Sequence, residues 1–143
     1  MTTTRTPVAD IPVLDRHAAA VIAAGENQRF VDLARTLSEG DWTQPTDCPA
    51  WNVQELTAHV LGSMEFTSSM REFVHQQRAG KKAAGARPQI DGMTEVQVRE
   101  RSHLGPDLLV ERLVAMAPRG ARARRRLPGL LRRIPMKVEV ANV

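Results

Sequence analysis

The 143-residue chain contains no tyrosine, three phenylalanines and two tryptophans. A β-sandwich core is therefore not expected, and the interior must be built from Ala, Leu, Val and Met, which suits close-packed helices. There is one cysteine, Cys48, which excludes an intramolecular disulfide and a Cys-rich zinc site. No apolar run approaches the roughly 20 residues that a membrane span needs. The opening Met1-Thr-Thr-Thr-Arg-Thr-Pro lacks the apolar segment of a signal peptide. These absences lead us to expect a soluble, cytoplasmic, all-α domain with no membrane partner.

Charge is unevenly placed. Residues 1–118 hold 12 Lys/Arg against 15 Asp/Glu, and residues 119–143 hold 8 against 1. The net charge of +4 thus hides a mildly acidic body and a basic tail. Arg119, Arg122, Arg124, Arg125, Arg126, Arg132, Arg133 and Lys137 make up that tail. Such a run can neutralise phosphates or an acidic surface. It has no interleaved aromatics and no recognition motif, so nucleic acid is not the expected partner. A non-catalytic interaction module that uses this tail is the alternative reading of the chain.

The apolar pattern divides the chain into a lead-in over 1–9, a helical domain over 10–118 and the tail over 119–143. Helices are expected at about 10–38, 53–78 and 94–117. The first opens at Asp10 with the stripe Leu14, Ala18, Val21, Ile22, Phe30, Leu33, Ala34 and Leu37, and stops at Gly40. Its phase slips around Glu26 to Arg29. A connection with Pro45 and Pro49 follows, with Trp42 and Trp51 as anchors. Residues 79–88 read as a flexible basic linker. Thr94 caps the third helix, Gly105-Pro106 interrupts it, and Pro118 with Gly120 stops it. Three long helical units fall one short of a closed four-helix bundle.

The most specific segment is Asp47-Cys48-Pro49-Ala50-Trp51-Asn52-Val53-Gln54-Glu55-Leu56-Thr57-Ala58-His59. Asn52 can cap the second helix while Glu55 reaches back to complete a capping box. That phase puts Leu56, His59, Val60 and Ser63 on one inward face. An imidazole aimed at a core needs a hydrogen bond or a metal, and the residues alone leave both open. His75 lies 16 residues along the same helix, roughly 24 Å away, too far to share a metal with His59. If helices one and two pair antiparallel, His59 lies level with Val31, with Glu26 and Asp32 near that height and His17 roughly 21 Å off. Cys48 precedes a helix N-terminus, where a thiol pKa can fall, but no base lies near it in sequence. A buried structural cysteine is the expected role.

Thr46 to Val60 resembles the N-terminal signature of mycothiol-dependent maleylpyruvate isomerase-like proteins, in the DinB-like four-helix bundle superfamily. Leu37-Ser38-Glu39-Gly40-Asp41-Trp42 and Thr94 to Arg101 with Leu104-Gly105-Pro106 are similar to further parts of such proteins. The resemblance covers about residues 12–120. It implies an up-down helical bundle and a zinc-like divalent-metal site in thiol-dependent isomerases or transferases. A small electrophilic substrate and mycothiol as thiol cofactor come with it. His59 matches the metal ligand of the motif. The family's other ligands, a carboxylate and a histidine one turn apart on the last helix, have no counterpart, since no histidine follows His103. Ala50 stands where the family has glycine, which would strain a turn needing positive φ. The expectation is a truncated member with an incomplete metal site, inactive alone, its exposed apolar face covered in a homodimer or the fold completed by another chain. No catalytic or cofactor-binding residue is assigned.

Overall fold

The computed structural model describes residue 10 and residues 14–126. Five α-helices make up nearly all of that span: α1 (Arg16–Thr36), α2 (Val53–Ser68), α3 (Met70–Ala84), α4 (Gln89–Arg99) and α5 (Pro106–Arg126). A short 3₁₀ helix, Glu39–Thr43, sits between α1 and α2. Among the described residues there is no strand, only an isolated antiparallel bridge between Pro45 and Asn52. The all-helical bundle expected from the sequence is what forms. No helix among the described residues is long and apolar enough to cross a membrane. The expected lead-in over 1–9 and most of the basic tail, residues 127–143, lie outside the described residues.

α5 is the central strut. It packs against both α1 and α2, while α3 and α4 form a tight hairpin that leans on α2. The core is Leu109, Leu113 and Ala117 of α5, Ala58, Leu61 and Met64 of α2, and Val31 and Ala34 of α1, closed by Trp42 and Leu104. These α5 residues recur every four residues, so one apolar stripe serves two neighbours. The expected direct pairing of the first two helices is therefore replaced, because α5 takes the place beside each.

Several boundaries differ from the expectation. α1 is capped by Asp15, whose carboxylate accepts from the backbone N–H groups of His17 and Ala18 at 2.7 and 2.8 Å. It ends at Leu37, before Gly40, because Ser38 and Asp41 cap each other and start the 3₁₀ helix. The slip at Glu26 to Arg29 is an exposed ion pair on an unbroken helix. Of the expected α1 stripe, Ala34 is buried, while Leu14, Val21, Ile22 and Leu33 are exposed. The expected second helix breaks at Ser69, which ends α2 and caps α3 through a bond from Glu72 N–H to its hydroxyl. The expected flexible linker is mostly the C-terminal half of α3, turned by Gly85 at φ 60° into α4. α4 begins at Gln89, and Thr94 donates to the Asp91 carbonyl inside it instead of capping it. α5 starts at Pro106 as expected but runs through Pro118 to Arg126. There the Asn27 amide donates to the Ala117 carbonyl at 3.3 Å and Gly120 is buried, so the contact with α1 carries the helix past its proline.

Gly25 lies inside α1, and a Cβ built there meets nothing within 4 Å. Gly25→Ala is expected to stabilise the domain by about 0.5–1 kcal/mol through helix propensity alone. A thermal melt of the variant that falls below the wild type would contradict this placement.

Candidate functional site

The loop before α2 is built by its own polar groups. Thr46 Oγ1 donates to the Trp51 carbonyl at 2.8 Å and accepts from Cys48 N–H at 3.1 Å. Trp51 N–H donates to the Cys48 carbonyl at 3.0 Å, which closes the Cys48–Trp51 turn. No non-glycine residue among those described has positive φ, so Ala50 is unstrained and the expected penalty does not exist. Cys48 is exposed, not buried, since the turn presents it outward. Asn52 Oδ1 accepts from Glu55 N–H and Glu55 Oε2 accepts from Asn52 N–H, both at 2.9 Å. This is the capping box expected from the sequence.

The face that α2 buries is turned from the expected one. Ala58, Leu61, Gly62 and Glu65 are buried, while Leu56, His59, Val60 and Ser63 are half-buried at its margin. The reason is the partner: α2 meets α5 and α4, not α1. His59 therefore lies at the edge of the core. Its ring stacks on Trp51, with centroids 5.2 Å apart and planes at 29°. Nδ1 is enclosed and has no hydrogen-bond partner. Burial pushes the His59 pKa down, and the Gln97 side chain works in the opposite sense. Gln97 Oε1 is likewise enclosed without a partner.

Beside them lies a polar core that the sequence reading missed. Glu65, 7% exposed, accepts from Arg101 Nε at 2.9 Å on Oε2 and from Arg112 Nη2 at 2.6 Å on Oε1. Arg101, 5% exposed, also donates to the Gln97 carbonyl at 2.9 Å and lies 3.8 Å from Glu72. An open cleft of about 330 Å³ lies over this network, lined by Glu65, Ser69, Glu72, Glu100, Arg101, Arg112, Met116 and Arg119. The only signals in the sequence were Glu65 four residues after Leu61 and Arg112 seven before Arg119. Neither identifies a partner 36 or 47 residues away.

The remaining candidates are not brought to His59. Glu26 pairs with Arg29, and Asp32 with Arg35 and Gln28, on the exposed side of α1. His75 is exposed and meets both oxygens of Glu100 at 3.0 Å. His17 and His103 are exposed. Among the described residues, no group of three His, Cys, Asp or Glu side chains is gathered to hold a metal. In the basic run, Arg119 lines the cleft and Arg122 is exposed on α5, while Arg132, Arg133 and Lys137 lie outside the described residues.

A family model, the mycothiol maleylpyruvate isomerase N-terminal domain, matches residues 23–136. No curated protein and no solved structure matches the chain. The match spans most of the sequence, and the chain belongs to that family.

Proposed function

Starting from that membership, we propose that this domain contributes one ligand, His59, to a divalent-metal site of a thiol-dependent isomerase or transferase. Mycothiol is the thiol and a small electrophile the substrate. The observation that supports it is His59 itself, held at the core margin by Trp51 on the family's own loop-and-helix segment. The remaining donor set does not fit a metal. Zinc takes three or four protein ligands, and among the described residues no further histidine, cysteine or carboxylate gathers beside this imidazole. The other ligands then come from a second chain, since the residues outside those described hold no histidine or cysteine and one carboxylate, Glu139. On this reading the chain alone is a weak metal binder and is catalytically silent.

The test is a zinc titration by calorimetry on the wild type and on His59→Ala, with a mycothiol-dependent isomerase assay alongside. The expected result is weak binding and no turnover above the uncatalysed rate. Stoichiometric, sub-micromolar binding that vanishes in His59→Ala would overturn it, because it would require a complete site within this chain.

A further inference from the structure

Two buried amides, Gln76 and Gln97, lead from the Gly62 carbonyl of α2 across α3 to α4. Gln76 is fully buried on α3, and Gln97 is 2% exposed on α4. Gln76 Nε2 meets two groups, the Gly62 carbonyl at 3.1 Å and a Glu72 carboxylate oxygen at 3.3 Å. Both are acceptors only, so the nitrogen of this amide must face them. Its oxygen then faces Gln97, which donates to it from Nε2 at 2.8 Å. Both amide orientations are thus fixed by chemistry, since a flip would set oxygen against oxygen. Gln97 is left with its oxygen pointing away from Gln76 and unpartnered, and the enclosed Nδ1 of His59 is unpartnered too. The two lie on packed surfaces. A Cβ at Gly62, one turn after His59, would fall 2.8 Å from Cβ and Cγ of Gln97. Burial lowers the His59 pKa and the Gln97 side chain works against that shift, which agrees with this placement.

We propose that Gln76 and Gln97 form a tautomer-setting relay, in which Gln97 Oε1 accepts from His59 Nδ1–H and leaves the lone pair on Nε2. An acceptor beside Nδ1 demands a donor there, and a neutral imidazole has one N–H to give. Free histidine in water favours the opposite tautomer, with the proton on Nε2, so the relay inverts the default. Of the two ring nitrogens, only Nδ1 is enclosed without a partner. Nε2 is then the atom prepared to take a cation or a proton, as in histidine ligands oriented through their other nitrogen. Gln97 and Gln76 are positioning residues, and the use of Nε2 as a ligand rests on the reading given above. The relay itself does not.

The experiment is a long-range ¹H–¹⁵N correlation spectrum of the full-length, ¹⁵N-labelled chain at about pH 8, where imidazole is neutral. His59 is assigned by its loss in His59→Ala. The wild type is expected to show Nδ1–H in excess, on the order of tenfold, over Nε2–H. Gln97→Met removes the acceptor and is expected to return His59 to Nε2–H. Gln76→Met, which does not touch the ring, frees the Gln97 amide to rotate and is expected to give a mixture. A wild-type ring that is mainly Nε2–H overturns the relay, even if both variants fail to fold. So does a folded Gln97→Met in which Nδ1–H persists. Adding zinc to the wild type separates the two claims. An Nδ1–H ring whose Nε2 signal ignores zinc even at large excess, where a weak single-ligand site would be occupied, upholds the relay and counts against the metal reading.

Discussion

Replacing Arg101 with methionine is expected to lower the unfolding free energy by about 3–5 kcal/mol, the range for breaking a buried ion pair from one side. The Arg101 side chain is 5% exposed and that of Glu65 9%. Removing the guanidinium leaves the Glu65 carboxylate with Arg112 alone, whose own side chain is 45% exposed. It also strips a donor from the buried Gln97 carbonyl. The total stability of a domain this size is about 5–15 kcal/mol, so the variant should sit close to unfolding at room temperature. Urea titration followed by far-ultraviolet circular dichroism reads the change. The double variant Glu65→Leu with Arg101→Met removes both charges and is expected to regain much of the loss. A single variant within about 1 kcal/mol of the wild type would show that water reaches the pair, as at an exposed salt bridge.

The parts of this fold that could be read in the sequence are those whose signal is local. The Asn52–Glu55 capping box uses residues three apart, and Gly105-Pro106 breaks the chain where it stands. The family signature around His59 is likewise contiguous. The break at Ser69 carries neither glycine nor proline, and the apolar residues Phe66, Met70, Phe73 and Val74 continue across it at helical spacing. Its only local mark is Ser69 with Glu72 three residues on, a spacing that also occurs inside helices. What separates α2 from α3 is tertiary, because α3 turns away to lie on α4. The stretch Gly80 to Ala84 read as linker on its glycine and lysines, but alanine and lysine favour helix and Gly80 is a packing residue.

At the site the same division holds. His59 was found because a helix cap sets its phase. The phase told which residues lie together on α2 but not which helix they face, and α5 in place of α1 moved His59 from the core to its margin. The Glu65–Arg101–Arg112 cluster and the Gln76–Gln97 pair join residues 21 to 47 positions apart. Buried glutamines and a buried glutamate run against composition rules for interiors. Only their mutual satisfaction makes them possible there, and that requires three helices already in place.

The α3–α4 hairpin holds those helices in place, and Gly92→Ala is expected to be the variant that opens it. A Cβ at Gly92 would lie 2.2 Å from the Gly80 carbonyl oxygen and 2.4 Å from Ala84 N. Those are backbone atoms of the facing helix, so no side-chain rotation relieves the contact. Overpacking costs about 1–3 kcal/mol where side chains can give, and here the loss should reach about 3 kcal/mol or exceed it. Gly40 offers the control, since a Cβ there meets nothing within 4 Å. Gly40→Ala should stay within about 0.5 kcal/mol of the wild type. Paired thermal melts read the difference, and near-equal melting temperatures for the two variants would mean that α3 and α4 do not cross at Gly92. The displacement should also reach His59. Gln97 lies five residues beyond Gly92, about 7.5 Å along the same helix, and its amide is held between α3 and α2. Pushing α4 outward withdraws Gln97 from the imidazole, so folded Gly92→Ala should lose part of the Nδ1–H excess at His59 without any change in the residues that touch it.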